Sequence, residues 1–72
     1  NKGNIINLFI PGIQDGSSAA EIDNALMQIK GVIKTEINVA EKTVAVVTDG
    51  SVKPEDVLKE LKNIGYDAEV KK

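Results

Sequence analysis

Seventy-two residues with a formal net charge of −2 and a hydrophobic share of 42% predict a single domain over 1–72, of a size that buries only about 60% of its unfolded surface. With no cysteine in the chain, neither a disulfide nor a zinc–thiolate staple can help, so an apolar core of Ile, Val, Leu and Ala must suffice. Nine lysines stand without an arginine, which argues against nucleic acid, and no apolar run approaches the roughly 20 residues that cross a bilayer.

The first element is "NIINLFI", residues 4–10. Ile6, Leu8 and Ile10 fall on one face, and Ile5, Asn7 and Phe9 on the other, the period-2 pattern of a strand. Pro11, Gly12 and Gly16 then break the chain. From Ser17 the spacing becomes Ile22, Ala25, Leu26, Ile29, the i, i+3, i+4, i+7 stripe of an amphipathic helix, with Lys30 and Gly31 as its end. "VIKTEINV", residues 32–39, alternates Ile33, Thr35, Ile37 and Val39 against Lys34, Glu36 and Asn38. "TVAVVT", residues 43–48, follows so closely that the two strands should form an antiparallel hairpin. After "DGSVK", Pro54 suits a first helical position, and Glu55 and Asp56 suit the positive end of the helix dipole. Val57, Leu58, Leu61 and Ile64 are the apolar stripe of this second helix. Lys53, at the cap position, is a poor cap. Gly65 closes the helix, and "YDAEV" forms a last short strand.

The order β-α-β-β-α-β contains two split βαβ units. Right-handed crossovers make it an α+β ferredoxin-like sandwich: a four-stranded antiparallel sheet with both helices on one face. This architecture hosts many functions, so the site has to decide.

Three stretches, "IPGIQDGSSAAEIDNALMQIKGV", "INVAEKTVAVVTD" and "SVKPEDVLKELKNIGYDAEV", resemble the heavy-metal-associated domain from about Ile6 to Val70. That family includes copper chaperones and the N-terminal modules of copper- and cadmium-transporting P-type ATPases. The resemblance implies the ferredoxin-like fold and a place in heavy-metal transport. It fails at the metal motif. Where the family carries Gly-Met-x-Cys-x-x-Cys, this chain has Gly12, Ile13, Gln14, Asp15, Gly16, Ser17 and Ser18. Asp15 and Ser18 stand at the two cysteines and Ile13 at the methionine. Copper(I) selects sulfur, whereas a carboxylate and a hydroxyl suit hard cations. The only sulfur belongs to Met27, inside the first helix, so no family-like Cu(I) site exists and no cofactor is expected.

The 12–18 loop then reads as the relic of a metal loop, now a helix cap. Ser18-x-x-Glu21 has the form of a capping box, with Asp15 or Ser17 as the cap if the helix begins earlier. The alternative is a weak hard-cation site on Gln14, Asp15, Ser17 and Ser18, with Asp15 its one carboxylate; calcium prefers six to eight oxygens. Backbone N–H groups of residues 16–20 could also draw an anion, but Asp15 adds a negative charge there and no lysine lies between residues 3 and 29. Tyr66, in the loop that the resemblance places beside this one, is expected to pack on Ile13 and the helix start rather than to bind metal.

Ile5, Phe9, Ala45 and Val47 should project together from the sheet face without helices, an apolar patch able to receive a protein partner or neighbouring domain. Catalysis has little support, because no His, Cys or Arg is present. A ligand-binding regulatory dimer of the ACT type is a third reading on the same fold. The sequence-level expectation is therefore a non-enzymatic, monomeric structural or interaction domain of a metal-transport system, without nucleic acid or membrane insertion. An oxygen-ligand cation carrier or sensor remains the rival. The chain opens on Asn1, consistent with a processed or excised piece; a cytoplasmic location is expected, or a periplasmic one if a signal peptide preceded it.

Overall fold

The structure, a computed structural model, describes residues 4–71. The elements run β1 (Asn4–Phe9), α1 (Gly16–Met27), β2 (Val32–Asn38), β3 (Thr43–Thr48), α2 (Pro54–Asn63) and β4 (Glu69–Val70). The strands form one antiparallel sheet in the order β2-β3-β1-β4. The ferredoxin-like sandwich is the observed architecture.

Alternation in the strands supplies the core. Ile6 and Leu8 of β1 pair in register with Val46 and Val44 of β3, and all four are buried beneath the helices. Ile22 and Leu26 of α1 and Val57 and Leu61 of α2 close over them, joined by Ile10, Ile13 and Val52 from the loops. Most of these side chains are fully buried, which makes each worth about 1.5–3 kcal/mol of transfer free energy. Among the described residues no buried side-chain nitrogen or oxygen lacks a hydrogen-bond partner.

Four expectations shift. The register of β2 against β3 slips between Val32 and Lys34. Ile33 is the extra residue of this bulge and is 55% exposed, so the inward set is Val32, Thr35, Ile37 and Val39. α1 ends at Met27 with Gln28 as its cap, because Ile29 leaves the helix to pack on the core. Ile64 is the C-cap of α2 rather than part of its stripe and is exposed. β4 has two residues only; Gly65, at a φ of +92°, and the turn after it consume the start of "YDAEV".

The sheet's other face lies open. Ile5, Phe9, Ala45 and Val47 all project from it, with Ile5 opposite Val47. Asn7 opposite Ala45 and Thr43 opposite Phe9 interrupt the apolar surface. Ile5 is exposed, whereas Phe9, Ala45 and Val47 are half-buried.

Candidate functional site

The loop between β1 and α1 is built from the helix outward. Asp15 has extended backbone angles, φ −161° and ψ −172°, and is the N-cap of α1. Its Oδ1 accepts the Ser18 backbone N–H at 3.1 Å, and its carbonyl accepts the Ala19 N–H at 3.1 Å. A short acceptor on an extended residue satisfies an orphan donor of the first turn, as a cap must. The helix therefore begins at Gly16, and the Ser18–Glu21 capping box does not form; Ser18 lies inside the first turn. Asp15, the alternative cap, takes the role.

Glu21 is drawn elsewhere. Its Oε1 accepts the Tyr66 hydroxyl at 2.7 Å. The Tyr66 ring lies over Gly12, where an added Cβ would come within 3.1 Å of ring Cδ1. Tyr66 also packs on the core that contains Ile13, whose side chain is fully buried. Ser18 exerts the largest influence on the Tyr66 phenol and favours its ionisation. The Glu21 carboxylate, through its hydrogen bond and charge, acts the other way together with burial and the charge of Asp15. The net result is a phenol pKa above its ordinary value.

A further residue reaches the loop that the sequence reading passed over. Lys42 Nζ donates to the Ile13 carbonyl at 2.6 Å, while the Lys42 carbonyl accepts the Ile10 N–H at 2.7 Å. Lys42 holds a φ of +59°, a left-handed conformation uncommon for a residue with a side chain. One residue of the β2–β3 turn thus grips the loop through both backbone and side chain. The signal for it was a tight "NVAEKT" turn, but which turn residue takes the left-handed position is set by tertiary contact.

The loop thus brings Ile13, Asp15, Ser18 and Tyr66 around one end of the molecule, with Gln14 and Ser17 exposed on its surface. Ile5, Phe9, Ala45 and Val47 lie apart from it on the sheet. Chemically the loop offers one carboxylate, already engaged as a cap, together with hydroxyls and backbone groups. Nothing in it is soft enough for copper(I). Among the described residues no group of three or more His, Cys, Asp or Glu side chains converges to hold a metal ion.

Residues 7–67 match the model of the family described as the heavy-metal-associated domain. The chain belongs to that family. Solved structures of similar fold superpose along almost the whole chain. A copper-binding domain from the P-type ATPase HMA7 is 28% identical with a TM-score of 0.88, covering 94% of this chain and 93% of that one. The N-terminal domain of PacS from Synechocystis PCC6803 is 26% identical with a TM-score of 0.87, covering 96% and 98%. The CopZ metallochaperone is 25% identical with a TM-score of 0.87, covering 92% and 100%. This heavy-metal-associated domain keeps the family's frame while the family's sulfur ligands are absent from its sequence. The residues present do not fit copper(I), which selects sulfur.

Proposed function

We propose that this heavy-metal-associated domain works by protein contact rather than by carrying metal, as a non-enzymatic interaction module of a heavy-metal transport system in the cytoplasm. The observation that supports this reading is the bond between Asp15 and Ser18. The two positions that correspond to the family's cysteines are joined to each other in a helix cap, so one oxygen of the loop's single carboxylate is engaged inside the fold. The open sheet face around Ile5 and Val47 is the surface we assign to a partner or neighbouring domain. The rival, a carrier with oxygen ligands at residues 14–18, would have a single carboxylate to work with, one of whose oxygens already accepts the Ser18 N–H.

Amide NMR titration with Cu(I), Zn²⁺, Ca²⁺ and Mg²⁺ in turn tests this directly. The expected result is no saturable shift; saturable shifts confined to residues 13–18 and 65–67 would establish the carrier instead. A companion variant, Asp15→Cys with Ser18→Cys, restores two thiolates at the family's positions. It should bind Cu(I) stoichiometrically where the unaltered chain does not, at a cost of about 1 kcal/mol for the lost cap. Failure of a folded double variant to bind would mean that the loop has diverged in shape as well as in ligands.

A further inference from the structure

Among the described residues β2 is the longer free edge of the sheet, seven residues against two in β4. Free edges invite pairing, and charged residues and bulges are the usual devices that discourage it. β2 carries both: the bulge at Ile33 and the charges of Lys34 and Glu36. The arrangement of those charges favours one pairing.

Consider a second copy adding its own β2 antiparallel to this edge about a two-fold axis. Residues opposite each other in an antiparallel pair share a face, so the axis must pass through a residue and the helices of both copies stay on one side. An axis at Lys34 sets lysine against lysine, and one at Glu36 sets glutamate against glutamate. An axis at Ile37 places Lys34 opposite residue 40, beyond the strand. An axis at Thr35 sets Lys34 of each copy opposite Glu36 of the other, two symmetric ion pairs from one contact. Of these axes, two oppose like charges, the one at Ile37 leaves both charges without an opposite partner, and the one at Thr35 pairs both, so charge placement favours the Thr35 register.

One further observation favours the same register. Lys34 Nζ and Glu36 Oε2 now lie 3.2 Å apart within the strand, with side chains 60% and 67% exposed. Such an exposed pair contributes little, so exchanging it for intermolecular pairs costs little.

We propose that the β2 edge is a self-association surface for a second copy of this chain, two-fold about Thr35. The short ladder gives a weak dimer, with a dissociation constant on the order of a millimolar, so the dilute chain remains the monomer expected from its sequence. Sedimentation and β2 amide shifts followed from about 50 μM to about 2 mM read this mass-action equilibrium. The unaltered chain should associate, with shifts centred on residues 33–37. Lys34→Glu alone and Glu36→Lys alone should each remain monomeric, since each sets like charges opposite one another. The double exchange Lys34→Glu with Glu36→Lys should associate again, and an equimolar mixture of the two single variants should form a heterodimer. Concentration-independent behaviour of the unaltered chain up to that limit would overturn the proposal. So would single variants that associate as well as the parent, or shifts centred on Ile5 and Val47, which would place self-association on the open face. These outcomes stand apart from the metal titration, because neither Lys34 nor Glu36 touches the loop.

Discussion

Tyr66 is the only tyrosine in a chain without tryptophan, so its ionisation can be followed by absorbance without interference. Ser18 works to favour the phenolate, yet Glu21 as acceptor and the charges of Glu21 and Asp15 prevail and raise the pKa. A raised folded-state value means that this group's contribution to stability is fully present below the ordinary phenol value of about 10 and is lost as pH rises through the folded value. The titration should lie above that of a free tyrosine, and Glu21→Gln should bring it down towards the ordinary value; an unchanged curve would show that the carboxylate is not what holds the proton. Of this cluster the sequence showed Tyr66 and Asp15, because a tyrosine after a closing glycine and an aspartate before a helix have local meaning. The Tyr66–Glu21 bond spans 45 positions and the Lys42–Ile13 bond 29, and no local pattern reports on contacts that only the closed fold creates.

At the scale of elements, α2 was readable because its signals agree: Pro54 at N1, two acidic residues in the first turn and Lys62 in the last. Its weak point was equally readable. Lys53 has extended angles, φ −94° and ψ 148°, with no side-chain hydrogen bond to the helix start. Lys53→Ser supplies an acceptor where the backbone already suits one, and urea denaturation should show a gain of about 0.5–1 kcal/mol. The Ile33 bulge was not readable. Strict alternation through Ile33, Thr35, Ile37 and Val39 is what a regular strand looks like, and the slip arises only because β2 must match the register of β3. β4 was overestimated for a related reason: tyrosine and valine favour strands, but the chain needs residues 66–68 to descend from α2 to the sheet.

For the whole molecule, stability rests on a single apolar cluster without covalent reinforcement. A domain of this length has about 4–11 kcal/mol to lose. Leu8 lies at the centre of the sheet, fully buried, paired with Val44 on one side and Val70 on the other. Leu8→Ala should cost about 2–5 kcal/mol, measured by thermal or urea unfolding, and so consume a large part of that total. Loss of less than 1 kcal/mol would mean that the cluster collapses around the vacancy far more readily than close packing normally permits.

The pairing of β4 with β1 also decides how the domain answers to tension. The two strands are antiparallel neighbours, Leu8 against Val70 and Phe9 against Glu69, and the Lys71 N–H donates to the Asn7 carbonyl. From Glu69 to Lys71 the chain therefore runs back beside β1 in the direction of Asn4, away from the loop end. A pull applied between Asn4 and Lys71 meets these bonds one after another, as a zipper is opened, and not all together as in shear. β4 peels away first under load, while the β1–β3 and β2–β3 ladders and the capped loop stay intact.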